Sequence, residues 1–371
     1  MKSKILAILV SVLIVALILL NFGFFSELQI EESPDFFVGV SVAYADPSAI
    51  KGLIDRISSY TNLFGIGSTG ISYDETKLDE TCQYLYDKDL SFIIYSERRF
   101  QYQWFEDAKD RWNNRFLGFY FWDENAGKQL DAQLKAFNEA DNYTDAGDQY
   151  VYRLNGALQF MNYTDSTDSS LFTSDYALYW FDYKAGYDVV LAQLGWNYSR
   201  QLNLALCRGA STVQDKEWGV IVAWTYNHPP YIESGKELYN DLILAYENGA
   251  KYVLVFDSNE DYTESILKEE HFEALEQFWQ YVQDNPRNKI QIEKRVAFVL
   301  PKNYGYGFRG PEDKIWGLWE ADALSLQISH HLGYLLEEYG TNLDIIYDDG
   351  LELDKNYTKY IFWNGTIILG S

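Results

Sequence analysis

The chain has 371 residues, a formal net charge of -25 and an aromatic content of 17%. This charge argues against nucleic-acid binding, because no stripe of basic residues is available to replace phosphate counterions. The four histidines show neither HExxH nor HxH spacing, so the sequence predicts no metal site and no cofactor. We expect the two cysteines, Cys82 and Cys207, to be buried free thiols.

The amino-terminal residues have the composition of a membrane segment. Lys2 and Lys4 precede an apolar stretch over residues 5–25. This reaches the roughly twenty residues that span a bilayer, and the positive flank predicts a cytoplasmic amino terminus. No small-x-small cleavage motif follows, which favours an uncleaved signal anchor over residues 1–25; the alternative is a cleaved secretory signal. Either reading places the remaining chain outside the cell, on a single-pass membrane protein or as a secreted one.

Acceptor triplets for N-linked glycans agree with that location. Asn-x-Ser/Thr without proline is modified only in chains that cross a membrane. The predicted glycosylation sites are Asn142, Asn162, Asn197, Asn356 and Asn364.

Eight short apolar runs lie between Phe36 and Asp257 and alternate with helix-like or polar stretches. Most are continuous in hydrophobicity, which is typical of parallel strands buried on both faces. Their number predicts a closed (β/α)8 barrel over residues 26–287. The runs cover residues 37–42, 63–67, 91–95, 116–122, 177–181, 188–193, 218–224 and 252–256.

The fifth run fits this pattern poorly. Only residues 182–187 separate it from the sixth, too few for a helical crossover. Either that helix is absent or the fifth strand lies upstream, near residues 150–158. The polar stretch 139–174 is interpreted as an insertion that forms a cleft wall or a surface excursion.

A smaller α/β unit is predicted over residues 288–371, after a helix at 262–283. Its elements are a strand at 295–300, a helix at 323–339 and strands at 343–347 and 360–368. A βαββ unit of this size has a small core, so we expect it to pack against the barrel.

The fourth run carries the strongest catalytic signal, because it ends in Trp122, Asp123, Glu124 and Asn125. Barrel enzymes keep their chemistry at the carboxyl ends of the strands, and sugar hydrolysis needs one acid and one ionised carboxylate. The apolar neighbours of Glu124 would raise its pKa, so we predict Glu124 as the proton donor and Asp123 as second choice. Side chains alternate along a strand, so only one of the two is expected to face the barrel axis.

Two further acids are predicted as the partner of Glu124. Asp182 follows the fifth run and Asp257 follows the eighth, both in positions expected at strand ends. Glu97, after the third run, would orient an acid or bind substrate. The alternative for each is a helix cap or an ion pair.

Aromatic residues at the same predicted rim suit a sugar, because ring faces stack on the apolar faces of pyranose rings. The alternative for each is packing in the barrel core. The predicted substrate-binding residues are Glu97, Trp122, Tyr183, Trp224 and Tyr226.

Several segments also resemble a known group of proteins. WFDYKAGYD, GWNYSRQLNLALCRGA and WGVIVAWTYNHPPY lie within residues 177–230, and VLPKNYGYGFRGPEDKIWGLWEAD covers 299–322. They resemble uncharacterised archaeal glycoside-hydrolase-like proteins of the TIM-barrel glycosidase superfamily. The resemblance implies a barrel, an extracytoplasmic setting and a carbohydrate partner. One departure is that the seventh run ends at Trp224 and Thr225, where the large clan of these enzymes has a glutamate nucleophile.

Three functional hypotheses follow. The first is a membrane-anchored glycoside hydrolase with Glu124 as the acid and Asp182 or Asp257 as base or nucleophile. The second is a non-catalytic glycan-binding or cell-envelope protein, and the third is a structural envelope component without a pocket. Glu124 within about 5 to 10 Å of a partner across a cleft would favour hydrolysis. Neutralisation of Glu124 by Lys or Arg would favour binding or a structural role.

Overall fold

A computed structural model describes residues 35–98, 100, 108–132, 135–161, 169–287, 295–351 and 356–370. The predicted membrane helix at residues 1–25 lies outside these ranges. Among the helices inside them, none combines the length and the hydrophobicity needed to cross a bilayer.

Eight parallel strands close into a barrel, because β1 pairs with β2 on one side and with β8 on the other. The predicted (β/α)8 barrel is therefore confirmed, and seven of its eight predicted strands overlap the observed ones. The strands are β1 (Phe37–Val42), β2 (Leu63–Ile66), β3 (Ser91–Ser96), β4 (Phe116–Phe121), β5 (Ser170–Asp175), β6 (Val189–Leu194), β7 (Glu217–Val222) and β8 (Tyr252–Asp257).

Helices connect and surround these strands. Local capping residues mark where these helices begin. Asp46 is the N-cap of the helix that starts at Pro47, and its side chain accepts a hydrogen bond from the Ser48 amide. Ser234 and Glu237 form a capping box at the start of the helix that begins at Gly235. The helices of this part are α1 (Pro47–Ile57), α2 (Thr69–Ser72), α3 (Glu75–Asp87), α4 (Ala108–Trp112), α5 (Asn125–Asp131), α6 (Tyr143–Met161), α7 (Tyr179–Ala185), α8 (Arg200–Val213), α9 (Gly235–Glu247) and α10 (Glu269–Asp284). The predicted buried thiols of Cys82 and Cys207 lie in α3 and α8, and both are free.

The fifth strand corrects the sequence analysis. Residues 177–181 lie mainly in α7, residues 150–158 lie in α6, and the strand is Ser170–Asp175. A search for apolar runs does not detect β5 because four of its six side chains are polar. It selects α7 instead, because this short helix is buried on almost every side. The supposed insertion at 139–174 therefore supplies a crossover helix and a barrel strand.

Alternating side chains divide the core into two layers. Outward residues such as Val40, Phe64 and Val255 join the large cluster between strands and helices. One inward residue from each strand fills the barrel axis, namely Phe37, Leu63, Ile93, Tyr120, Phe172, Leu191, Ile221 and Leu254. The interior is therefore packed, and a ligand site built on it has to lie at an end of the barrel.

A second, mixed sheet follows the barrel. Its strands are β9 (Val296–Leu300), β10 (Leu343–Tyr347), β11 (Lys359–Phe362) and β12 (Ile367–Leu369), in the order β10-β9-β11-β12. Helix α11 (Ala323–Tyr339) connects β9 to β10, as predicted. The predicted last strand is in fact the antiparallel pair β11 and β12, because a turn at Asn364 and Gly365 interrupts it. Barrel and sheet belong to one compact unit, residues 36–371.

A buried ion pair between Arg208 and Asp344 connects the small sheet with the barrel helices. Arg208 of α8 is 2% exposed and donates from Nε to Oδ1 of Asp344 on β10 at 2.7 Å. Its other nitrogens donate to the carbonyls of Thr341 and Leu343 and to Asn248. One guanidinium thus satisfies acceptors from the small sheet and from the barrel helices.

We expect Arg208→Ala to destabilise the protein by about 3 kcal/mol, because it removes the donor to one oxygen of the buried Asp344 carboxylate and to two carbonyls. Urea denaturation measures the change in the free energy of unfolding. Lys314→Ala, which removes an exposed pair with Glu320, is the control and should cost less than about 1 kcal/mol. Equal losses in the two variants would contradict the assigned role of Arg208.

Candidate functional site

Polar side chains line the carboxyl end of the barrel axis. Tyr120 donates from its hydroxyl to Ser174 Oγ at 2.6 Å, and Gln193 Nε2 donates to the same oxygen at 3.1 Å. Gln193 Nε2 also donates to Glu124 Oε1 at 3.0 Å. The end of β4 therefore brings the Glu124 carboxylate over the barrel mouth, among inward side chains of β5 and β6.

The backbone leaves the strand geometry immediately before this glutamate. Strand β4 ends at Phe121, and Trp122 and Glu124 have φ values of 44° and 57° in the left-handed region. Non-glycine residues are strained there and are commonly held so at functional sites. A backbone hydrogen bond from Glu124 to the Ser174 carbonyl at 2.8 Å holds this corner.

This turn corrects the expectation that Asp123 and Glu124 face opposite sides. The alternation rule holds only within a strand, and both residues lie beyond its end. Lys128 of α5 donates to Asp123 Oδ1 at 3.1 Å, and its Nζ lies 3.6 Å from Glu124 Oε2. Both carboxylates therefore share one ammonium group.

The protonation of Glu124 differs from that of a solvated glutamate. Burial raises its pKa, and the neighbouring charge of Asp123 raises it further. The hydrogen bond from Gln193 and the charge of Lys128 oppose this shift without cancelling it. A carboxyl that keeps its proton to higher pH is suited to donate that proton to a leaving group.

Asp175, which the sequence analysis missed, stabilises the turn between β4 and α5. It ends β5, is fully buried and accepts hydrogen bonds from the amides of Ala126 and Gly127 at 2.7 and 2.9 Å. Burial raises the pKa of Asp175 to about 7, although these amides oppose the shift. Asp175 thus holds the first turn of α5, which carries Lys128. The sequence analysis did not find Asp175 because it placed the fifth strand at residues 177–181.

Asp182 and Tyr183 do not lie at the barrel mouth, which corrects two predictions. Both lie in α7 and are buried in the helix layer. Asp182 Oδ1 accepts from the Tyr150 hydroxyl at 2.8 Å, and Tyr183 donates to the carbonyl of Glu217 at 2.8 Å, at the start of β7. The start of a barrel strand is the end opposite the mouth. Both predictions depended on placing the fifth strand at residues 177–181.

Asp182 has the surroundings of a neutral acid. Burial, and then the charge of Asp175, raises the pKa of Asp182 well above its ordinary value. Its Oδ2 has no hydrogen-bond partner among the described residues.

We therefore expect Asp182→Asn to change the free energy of unfolding at pH 7 by less than about 1 kcal/mol, because the carboxamide has the same shape and still accepts from Tyr150. Asp344→Asn is the matched control and should cost more, because Asp344 pairs with Arg208 and Arg295. Chemical denaturation of both variants checks this. A loss for Asp182→Asn as large as that of the control would contradict a neutral Asp182.

Asp257 ends β8, as predicted, but its contacts hold a loop. It has the outward register of Val253 and Val255. Its Oδ1 accepts from the amides of Ile266 and Leu267, and its Oδ2 accepts from the Tyr44 hydroxyl at 3.2 Å. These hydrogen bonds give Asp257 a structural role, although it is neither the helix cap nor the ion pair that the sequence analysis kept as alternatives.

Aromatic rings gather around the mouth. Trp224 donates from Nε1 to the Ser258 carbonyl at 2.8 Å, and its ring lies 5.5 Å from Tyr231 and 6.5 Å from Tyr262. The planes of Trp224 and Tyr262 differ by 19°. Tyr262 is 55% exposed and lies on the loop after β8, because α10 begins only at Glu269 rather than at the predicted residue 262. The exposed Tyr226 stacks on His228 at 6.1 Å.

Glu97 belongs to the same surface. Its carbonyl accepts from Trp122 Nε1 at 2.7 Å, and its Oε1 accepts from the Tyr95 hydroxyl at 3.3 Å. Burial raises the pKa of Tyr262, and the charges of Asp123, Glu124 and Glu97 raise it further, whereas the charge of Lys128 lowers it. The barrel mouth is thus defined by Glu97, Asp123, Glu124, Lys128, Gln193, Trp122, Trp224 and Tyr262.

The carboxyl end of β7 carries no acid, as the sequence indicated. Glu233 lies further along the loop after β7, but it is 4% exposed and binds Arg200 Nη2 at 2.7 Å. Burial, with a contribution from Asp241, raises the pKa of Glu233 to about 8. This cluster packs the starts of α8 and α9 together.

The remaining predictions concern modification and metal binding. Asn142, Asn197, Asn356 and Asn364 are exposed, whereas Asn162 lies outside the described residues. Glycosylation at these positions stays a prediction. Within the described ranges, no three side chains of the metal-binding types converge.

No protein-family model matches the sequence, and no curated protein matches it at a significant level. Several solved structures are similar to this chain. A GH5_18 protein from Bifidobacterium longum subsp. longum, in complex with Manb1-4GlcNAc, covers 84% of this chain and 91% of its own, with 9% identity and a TM-score of 0.48. The GH20 catalytic modules of a pneumococcal exo-beta-D-N-acetylglucosaminidase cover 67% and 85%, with 11% identity and a TM-score of 0.43. A 3-hexulose-6-phosphate synthase covers 66% and 99%, with 9% identity and a TM-score of 0.36. Glycosidases and other enzymes both occur among these structures, and the likeness carries no argument about the function of this chain.

Proposed function

We propose that the protein is a glycoside hydrolase whose reaction takes place at the barrel mouth, with Glu124 as the proton donor. The observation that carries the proposal is the position of Glu124. Its carboxyl lies beyond the packed axis, has a raised pKa and lies beside a second carboxylate. Acid-assisted cleavage of a glycosidic bond requires a carboxyl with a raised pKa and a second carboxylate in the same site.

Asp123 is our candidate for the second carboxylate. Glycosidases need a negative group near the sugar ring to act as nucleophile, to activate water or to stabilise the positive charge of the transition state. Asp123 shares Lys128 with Glu124 and is itself only half-buried, so a substrate at the mouth could contact it. Asp182 and Asp257 are not proposed for this role, because their described contacts lie in the helix layer and in a loop.

The aromatic rings supply the binding surface. Exposed Tyr262 and half-buried Trp224 offer ring faces to the apolar side of a pyranose, and Trp122 and Tyr226 extend the surface. The exposed glycan acceptor triplets and the apolar amino-terminal stretch support an extracytoplasmic, membrane-anchored protein as part of the proposal. The resemblance to archaeal glycoside-hydrolase-like proteins supports the same reading.

Two observations favour a second candidate, a non-catalytic glycan-binding protein. Lys128 contacts both carboxylates of the pair, and β7 ends without an acid. A permanently neutralised pair on an aromatic surface would bind a sugar without cleaving it.

The variant Glu124→Gln tests the hydrolase. The full-length protein should cleave a member of a panel of aryl glycosides and polysaccharides, and the variant should lose about 10²- to 10⁴-fold in kcat, the usual contribution of a general acid. Since the acid must be protonated, wild-type activity should fall as the pH rises through the pKa of Glu124, which lies above the ordinary value. Steady-state rates across pH measure both effects.

Glu276→Gln is the matched control, because Glu276 is exposed on α10; it should keep the wild-type rate. Equal turnover by Glu124→Gln and wild type would remove Glu124 from the mechanism. Binding of a glycan by the wild type without any turnover would instead favour the second candidate.

A further inference from the structure

We infer that Gln193 is a positioning residue for the proton transfer: its amide holds Oε1 of Glu124, so that Oε2 carries the proton given to the substrate. This inference rests on the proposed hydrolase and deepens it, because it assigns the two oxygens of the proton donor to different tasks. It follows from the contacts of one buried amide with residues of the neighbouring strands.

Gln193 is a polar residue in an otherwise apolar strand. The sequence of β6 is VVLAQL, all six residues are buried, and Gln193 continues the inward positions of Val189 and Leu191. A buried amide costs free energy unless it is hydrogen-bonded, whereas an apolar side chain would fill the same position without that cost. The amide of Gln193 is therefore explained by its hydrogen-bond acceptors and not by packing.

Two acceptors fix the direction of this amide. Gln193 Nε2 donates to Glu124 Oε1 at 3.0 Å and to Ser174 Oγ at 3.1 Å. Ser174 Oγ also accepts from the Tyr120 hydroxyl at 2.6 Å. An amide nitrogen has two hydrogens, so these two acceptors use both of them. Because Tyr120, Ser174 and Gln193 come from the neighbouring strands β4, β5 and β6, the barrel itself determines where the amide points.

The two oxygens of Glu124 have different surroundings. Oε1 already accepts from Gln193, whereas Oε2 lies 3.6 Å from Lys128 Nζ, which is longer than an ordinary hydrogen bond. An ammonium group has donors but no lone pair, so Lys128 cannot accept a proton from Oε2. The acid therefore carries its hydrogen on Oε2. A substrate can reach this oxygen, because the Glu124 side chain is 32% exposed.

Proton transfer from Oε2 gives a balanced reaction. The hydrogen passes to the glycosidic oxygen as the bond from that oxygen to the anomeric carbon breaks, and the electron pair of this bond stays on the oxygen. The leaving group departs as an alcohol and Glu124 becomes a carboxylate. Water then supplies a hydroxyl to the sugar and returns a proton to Glu124.

Gln193 and Lys128 stabilise the carboxylate that this step produces. Burial raises the pKa of Glu124 most and the charge of Asp123 raises it further, whereas the Gln193 hydrogen bond and the Lys128 charge lower it. Asp175, at the end of β5, is a further acid beside this turn. The tyrosines that interact with the Glu124 charge have raised pKa values and stay neutral while Glu124 titrates; they are Tyr120, Tyr176, Tyr198 and Tyr262.

Titration of Glu124 in Gln193→Met tests the inference without a substrate. Methionine has a similar length but cannot donate, so loss of this hydrogen bond to the ionised form should raise the pKa of Glu124 by about 1. Carbon-13 NMR of labelled glutamate side chains in the full-length protein measures the change. Ser174→Ala removes the second acceptor of the amide and should raise the pKa less. Gln277→Met, at an exposed position of α10, is the control and should leave it unchanged.

Leaving-group dependence distinguishes positioning of the acid from a general structural defect. A poor leaving group needs more proton donation than a good one. For a sugar that the wild type cleaves, Gln193→Met should slow the phenyl glycoside about tenfold and the para-nitrophenyl glycoside about threefold or less, with KM within about twofold of the wild type. Gln277→Met should cleave both at the wild-type rate.

An unchanged Glu124 pKa in both Gln193→Met and Ser174→Ala would overturn the inference, and so would equal slowing of the two glycosides. Loss of turnover in Glu124→Gln with none in Gln193→Met would contradict the inference and leave the hydrolase in place. A raised Glu124 pKa in Gln193→Met, with no glycoside cleaved by the wild type, would support the contact with Gln193 and contradict the hydrolase.

Discussion

The alternation of side chains in a closed parallel barrel decides which acids can reach a ligand. Outward positions at the ends of β5 and β8 hold Asp175 and Asp257, and both are used to fix the following loop or helix. Inward positions fill most of the axis with apolar side chains, and the polar groups that they place near the mouth include Tyr95, Tyr120, Ser174 and Gln193. The acids of this mouth, Glu97, Asp123 and Glu124, all lie where the chain has already left its strand.

Glu124 lies beyond the end of β4, in a turn whose backbone is strained. Left-handed conformations at non-glycine residues cost about 1 to 3 kcal/mol each, and here two of them occur within three residues. The surrounding hydrogen bonds offset this cost. Asp175 binds the first amides of α5, Ser174 accepts from the Glu124 amide, and Gln193 binds the carboxylate. Helical spacing brings Lys128 near Glu124, and the strained corner adds the Asp123 carboxylate to the same ammonium group.

Much of the architecture could be predicted from the sequence, and the errors have one physical origin. Continuous apolar runs identify buried parallel strands, so seven strands and the closed barrel were recognisable. The same criterion fails for β5, where Thr173 and Ser174 are polar because they bond to neighbouring groups at the mouth. The buried helix α7 has the hydrophobicity of a strand, so the sequence analysis took it for the fifth strand. This single error put Asp182 and Tyr183 at a strand end and left Asp175 unrecognised.

The composition of the site was only partly predictable for a related reason. Trp122, Asp123 and Glu124 follow a clear strand, so their place at its carboxyl end could be read from the pattern. Gln193 joins them from an inward position of β6, whereas Lys128 and Tyr262 do so through the turn after β4 and the loop after β8, which leave no periodic signal. Contacts between distant loops depend on the closed barrel, and their partners become visible only when the strands are in place.

Direct titration of Glu124 tests the central claim that the mouth holds a proton-donating glutamate. Carbon-13 labelling of the glutamate side chains, with the resonance assigned through Glu124→Gln, would follow its carboxyl across pH. We predict a pKa above the ordinary value of 4.5, and a further rise in Lys128→Gln, because the Lys128 charge favours the ionised form. A Glu124 pKa at or below the ordinary value, unmoved by Lys128→Gln, would contradict the account.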